Sequence, residues 1–297
     1  MPILLFACFF VLTVGISFSQ RKCSEFVCDN RLISKAVYLV LNSLVGCTSF
    51  FLLSGCQIHV DGKIALFGFL FSLVCVGNVL SGLYALKYCL AASVTSTQNG
   101  GSMVILAVLG FLLWNEVPTT LRLVAIAVML VAIYCIFKET KSGDAETAPL
   151  GKRLLFLGLV LLFWVLTTVM NKLFSQYGDE AYNNSYFFMT NVFMVAYGVM
   201  FVAVYCIRHR FPTETVKALI KPKRMVWIAA NTVIGNFQSL VGLLLVGMVE
   251  ISVYSVVGTS LAIISGVAVS AILRQKMTKY TYISVVLAII AVILQAI

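Results

Sequence analysis

Acid is scarce in this chain, and where it is missing matters more than how much there is. Eleven Asp and Glu stand among 297 residues. None of them (Glu25, Asp29, Asp61, Glu116, Glu139, Asp144, Glu146, Asp179, Glu180, Glu214, Glu250) falls in the middle of a long apolar run. An intramembrane carboxylate is the usual proton or cation carrier of a pump, so its absence argues against a simple proton-coupled exporter of organic cations. Histidine is scarcer still. His59 and His209 both lie outside the apolar runs, which leaves no acid/base pair for an intramembrane hydrolase. The nine cysteines include no C-x-x-C pair and no neighbouring His cluster, so no metal site is expected. Most of them sit in apolar runs, where a thiol is a small hydrophobe. No P-loop is present, and neither ATP hydrolysis nor a cofactor is implied.

What the chain has in abundance is apolar length. It is 61% hydrophobic and 11% charged, against about a quarter charged in soluble domains, and its mean hydropathy is +1.02. That composition describes a polytopic membrane protein. In lipid every spanning segment must satisfy its own backbone, as a helix or a closed barrel. Barrel strands alternate apolar and polar residues, whereas these runs are continuously apolar, so helices are expected.

A helix needs about 20 apolar residues to cross the hydrocarbon. Ten runs qualify: Pro2 to Phe18, Leu32 to Leu53, Ile64 to Leu86, Val94 to Leu113, Leu121 to Phe137, Leu154 to Phe174, Asn184 to Ile207, Val226 to Met248, Ile251 to Leu273 and Tyr280 to Ala296. The first lacks the basic n-region and the A-x-A exit of a signal peptide and reads as a span. Lys138 to Arg153, KETKSGDAETAPLGKR, is the one stretch that looks like a solvated linker.

The two halves echo each other. Ser93 to Thr119 lies on Ser252 to Thr278, Leu4-Leu5-Phe6 recurs as Leu154-Leu155-Phe156, Lys22 falls on Lys172, and Gly77-Asn78 recurs as Gly235-Asn236. The expected organisation is a first five-helix repeat over 1–138, a linker over 139–153 and a second repeat over 154–297. An odd number of spans per repeat makes the second copy enter the membrane from the opposite face, the inverted-topology plan of many secondary transporters.

Basic residues sort by face. With the termini on one side, that side receives Lys63, Arg122 and Lys172, while the other eighteen of the 21 lysines and arginines fall opposite. The net charge of +10 is therefore topological, with no nucleic-acid partner implied. The positive-inside rule puts the basic face in the cytosol and both termini outside. Cys23 and Cys28 then meet a reducing compartment and stay thiols.

The residues inside the membrane are polar but neutral for the most part: Asn42, Asn78, Thr95 to Asn99, Asn171 with Lys172, Asn191, Asn231, Asn236, Gln238, Tyr254, Ser255, Thr259 and Ser260. Amides and hydroxyls are costly to leave unpaired in hydrocarbon, so they should face the bundle interior, either as glue between helices or as the lining of a site for a polar solute. Five polar residues followed by Gly100-Gly101 cover every side of a helix. This cluster, Ser96, Gln98 and Asn99 included, is expected to be locally unwound and to bind substrate. Lys172, almost the one cation on its face, is a candidate receiver of a substrate anion or else a snorkelling helix end. Asn183 is expected to cap the seventh span, Tyr182 to sit in the interfacial belt, and Glu116 to form an interfacial ion pair.

Leu83-Tyr84-Ala85-Leu86-Lys87-Tyr88, the polar patch over Ala92 to Gly101 and the closing Trp114-Asn115-Glu116-Val117-Pro118-Thr119 resemble the EamA-type branch of the drug/metabolite transporter superfamily. The resemblance implies an all-α membrane protein of ten helices in two inverted repeats. It also implies alternating access through a cavity lined by the third, fourth, eighth and ninth spans, here Asn78, Ser96, Gln98, Asn99, Asn236, Tyr254 and Ser255. Asn115 stands where the family usually has Gly, Gln275 replaces the glutamate in the second copy, and members of the family usually keep their termini in the cytosol. Tyr182-Asn183-Asn184 is similar to a motif of nucleotide-sugar transporters.

The expected function is secondary transport of a small polar metabolite, such as an amino acid, across the cell membrane. Nucleotide-sugar transport is the alternative within the superfamily, and a membrane enzyme or a non-transporting scaffold are the rivals outside it. The expected partners are a small-molecule substrate, the lipid bilayer and a possible homodimer mate.

Overall fold

The computed structural model describes residues 2–27, 32–88, 98, 101–140, 150–209, 211, 213–272 and 279–296. Among them the regular structure is helical throughout: α1 (Pro2–Val27), α2 (Leu32–Leu53), α3 (Gly62–Tyr88), α4 (Ser102–Leu113), α5 (Thr120–Thr140), α6 (Leu150–Tyr177), α7 (Asn183–Arg208), α8 (Thr213–Leu219), α9 (Pro222–Met248), α10 (Ile251–Ile272) and α11 (Lys279–Ala296), with one 3-10 turn at Glu180–Tyr182. Seven of these helices are long and apolar enough to cross a membrane, and Ser102–Leu113, Thr120–Cys135 and Tyr282–Leu294 are shorter apolar helices. Leu112, Ile3 and Ile207 are among many large apolar side chains turned outward, as lipid-facing surface requires.

Proline marks the helix boundaries. Pro2 and Pro222 are first residues of α1 and α9, Pro149 and Pro212 immediately precede α6 and α8, and Pro118 lies in the corner before α5. A proline within a helix removes a hydrogen bond and kinks it. With all five at ends, no proline interrupts a described helix.

The helices pair antiparallel in a consistent register. Along α1 and α9, Phe9 stacks edge-on to Tyr254 beside Gly242, Thr13 accepts from Gln238 at 2.8 Å, Ile16 meets Gly235, Ser19 bonds Asn231 at 3.1 Å, and Phe18 packs on Trp227. Along α3 and α6, Phe67 packs on Phe174, Gly77 on Phe163 and Tyr84 on Phe156. Along α2 and α7, Phe50 stacks on Phe187, Gly46 receives Asn191 and Gly198 receives Val40. At Gly46, Gly77 and Gly198 an added Cβ would collide with the facing helix, so glycine lets the helices close. The remaining main pairings are α5 with α11, α3 with α7, α2 with α9, α4 and α1 with α10, α4 and α9 with α6, and α10 with α11.

Most of the expected intramembrane amides are spent on this packing. Asn231 bonds Ser19 and the Tyr38 hydroxyl, Gln238 bonds Thr13, Thr232 donates to Asn42 at 2.6 Å, and Asn191 donates to its own helix at Phe187. Interhelical bonds of this kind contribute about 0.6 kcal/mol each in a membrane. Gln238→Leu is therefore expected to cost no more than about 1 kcal/mol in detergent unfolding; a loss several times larger would show that it does more than join α9 to α1.

Candidate functional site

Helical phase decides which amides remain available. On α9, residues 232, 236, 240 and 243 fall on one face, since each step of three or four returns to the same side. Thr232 on that face is buried and bonded to Asn42, and Leu243 is buried in a cluster with Phe50, Phe71, Phe174, Tyr186 and Phe187. Asn236 thus points into the bundle interior between them. Its Nδ2 is buried with no hydrogen-bond partner among the described residues. On α3, Asn78 shares a face with Phe71, a member of the same cluster, and with Ala85, which is buried against Val160. No partner for the Asn78 amide is found among the described residues.

The aromatic cluster is dense. The Phe174 and Tyr186 rings stack at 3.9 Å between centroids, Phe71 lies 5.3 Å from Tyr186, and Phe67 lies 5.5 Å from Phe174. Along α3 and along α9 both asparagines lie on the same side of this plug, away from the ends where α2 joins α3 and α9 joins α10.

The other expected site residues fare differently. Gln98 is half-buried, and it and Gly101 have π-helical geometry. A widened turn of that kind is often found at functional sites. Ser96 and Asn99 lie outside the described residues. Tyr254 sets its ring against Phe9 and its hydroxyl beside Gly242, where an added Cβ would stand 3.3 Å away. Ser255 is buried and its hydroxyl donates to the Ser252 carbonyl at 2.8 Å. The Lys172 ammonium is turned to backbone: Nζ donates to the carbonyls of Val246 at 2.7 Å and Val249 at 3.1 Å, at the C-terminal end of α9.

That end of the bundle holds a charged group the sequence did not disclose. Glu116, expected as an interfacial ion pair, is 9% exposed and its carboxylate accepts from the backbone N–H of Ile251 at 2.5 Å and of Ser252 at 3.0 Å. It caps the N-terminus of α10 from another part of the chain, satisfying orphan donors and complementing the positive end of the helix dipole. Lys172 does the converse for the last carbonyls of α9, within electrostatic range of Glu116 and Glu250.

The ion pair at this end is instead Arg122 with Glu250, and Arg122 also donates to the Val117 carbonyl at 3.1 Å. Trp114 donates to Gln176 at 2.9 Å. Asn115 takes φ of 51°, the left-handed conformation that glycine adopts without strain and asparagine tolerates. Gly110 makes the space, since a Cβ on it would lie 2.6 Å from Glu116 Oε2 and 2.8 Å from Ile251 Cγ2.

Tyr182, Asn183 and Asn184 join helices. Tyr182 stacks on His59 at 4.3 Å, Asn184 donates to the Leu53 carbonyl at 3.3 Å, and the His59 N–H donates to Ser185 at 3.0 Å. The residue before α7 is Tyr182, with no side-chain cap bond, so Asn183 begins the helix and does not cap it. The counterpart corner, Arg274-Gln275-Lys276, lies outside the described residues, as does Cys28; Cys23 is a free thiol whose Sγ donates to the Trp227 carbonyl.

No family model matches the chain, and no curated protein matches it. Among solved structures 28 chains match. One, described only as the crystal structure of a protein, is 12% identical and superposes with a TM-score of 0.66, covering 99% of this chain and 95% of its own. At that identity the likeness is one of fold.

Proposed function

We propose that this protein is a secondary transporter of a small polar metabolite, built as ten membrane helices in two inverted five-helix repeats, resident in the cell membrane and similar to EamA-type carriers. The observation that carries the reading is the Asn236 Nδ2, buried and unpartnered while its neighbours Asn231, Thr232 and Gln238 are all bonded. A buried amide without a partner costs about 1–3 kcal/mol. That cost is offset if a ligand supplies the acceptor. Asn78, its counterpart on α3, and Gln98 would complete a neutral, hydrogen-bonding site for a solute with several polar groups.

The pairing of helices supports the duplication. Exchanging α1 with α6, α2 with α7, α3 with α9, α4 with α10 and α5 with α11 turns α1–α9 into α6–α3, α3–α7 into α9–α2 and α1–α10 into α6–α4, and each of these pairs is packed. The two Gly-Asn sequences exchange with them: Gly235 admits Ile16 of α1 and Gly77 admits Phe163 of α6. Two halves related in this way, each with an odd number of spans, give a protein that can present one interior site to either face.

Thermal unfolding of the purified protein against amino acids, sugars, nucleotide sugars, polyamines and nucleosides tests the reading. A ligand at about 100 times its Kd adds about 2.7 kcal/mol if it binds only the folded state. One chemical class should raise the midpoint saturably and be carried into proteoliposomes. A panel without any shift or flux would count against transport, and a chemically altered product would point to an enzyme.

A further inference from the structure

Building on the transport reading, we infer that Glu116 and Lys172 form a clasp that holds one face of the protein shut over the site at Asn78 and Asn236. Helix caps ordinarily come from the residue next to the helix, and such a cap would persist in any conformation. Here three charged side chains bond across between separate elements. The α4–α5 corner caps α10 through Glu116, α6 caps α9 through Lys172, and Arg122 of α5 takes Glu250. Glu250, which directly precedes α10 and has the right charge to cap it, is given to Arg122 instead. Each of these bonds is made only while the corners are docked together.

Beneath the clasp lies the plug of Phe50, Phe67, Phe71, Phe174, Tyr186 and Phe187, and both asparagines stand on its far side. The exchange of helices relates several pairings but not all: α10 packs on α11 without a comparable packing of α4 on α5 among the described residues, and the exchange fails here too. The packing of α6 on α9 has no comparable packing of α1 on α3 among the described residues. A site sealed at one end by charge and rings is closed to the clasped face.

In this device the Glu116 carboxylate is held by two backbone N–H donors at a helix N-terminus, so the clasp opens by undocking. Glu116→Gln keeps the shape, removes the charge and turns one acceptor into a donor facing an N–H. The clasped face should then open.

The test places a reporter thiol at Asn236→Cys in oriented proteoliposomes, applies a membrane-impermeant maleimide to either face and quantifies modification of that residue by mass spectrometry. In the otherwise native protein the thiol is expected to react at least tenfold faster from the face opposite the clasp. In Glu116→Gln, and separately in Lys172→Gln, reaction from the clasped face should rise at least tenfold while reaction from the other face falls. An unchanged preference in both variants would overturn the clasp, and so would an equal rise from both faces, since loosened packing opens no particular side. Flux is measured separately with native Asn236. Switching of the labelled face without flux of any solute would sink the transport reading alone, and flux without switching would sink the clasp alone.

Discussion

Asn236→Leu is expected to make the protein more stable and to abolish binding. The amide nitrogen at Asn236 is buried without a partner, so the folded state carries its desolvation cost, about 1–3 kcal/mol. Leucine is of similar size and removes that cost, and a gain of about 1–3 kcal/mol in detergent unfolding should follow. The same change deletes the donor that a solute would meet. Ligand-dependent stabilisation should vanish and flux fall by an order of magnitude or more. Residues near the middle of a bundle that serve only to join helices behave oppositely: their removal weakens the fold and leaves transport in place. Destabilisation by Asn236→Leu with flux preserved would move Asn236 into that second class and dismantle the site.

Glu116→Ala is expected to be among the most damaging single changes at the membrane surface of the molecule. It strips the first two N–H groups of α10 of their acceptors, leaves the positive pole of that helix uncompensated and removes one of the two carboxylates near the Lys172 ammonium. Hydrogen bonds to charged groups contribute about 1.5–3 kcal/mol each, and two that share one carboxylate are not additive, so a loss of about 3 kcal/mol is expected. Lys172→Ala should cost less, because terminal carbonyls near the surface can turn to water. The double variant should cost less than the sum of the two, with a coupling of about 0.5–3 kcal/mol. Additive losses would show that the two caps stabilise α10 and α9 independently, with no joint action.

Much of the fold could be read from hydropathy because the signal is local and repeated. The apolar runs lie on helices wherever their residues are described, the run from Val94 to Leu113 being described as a helix over Ser102–Leu113, although α1 continues as a helix to Val27 beyond the apolar limit at Phe18. The helix there is held by backbone bonds while only the first part is oily. Short α8 has no apolar run to mark it, since its seven residues include Glu214 and Lys217.

The site was less legible, for a geometric reason. Asn231, Asn236 and Gln238 are chemically alike and within eight residues of each other. One helical step of about 100° decides whether an amide meets α1 or the interior, and composition holds no trace of that phase. Glu116 was hidden for the opposite reason. Its partners are backbone atoms 135 residues away in the chain, so no spacing rule could point to them, and a corner rich in charge reads as solvated.

On the proposed duplication Gln275 stands where Glu116 stands in the first copy, and an amide offers a helix N-terminus less charge than a carboxylate does. A carrier whose two doors close with unequal strength idles with one of them ajar. A solute arriving at the firmly shut side must wait for a sparsely populated state, and its apparent affinity falls by the fraction of molecules ready to receive it. Concentrations that half-saturate the carrier would then differ between the two sides of the membrane, even though the pocket touched by the solute is one and the same.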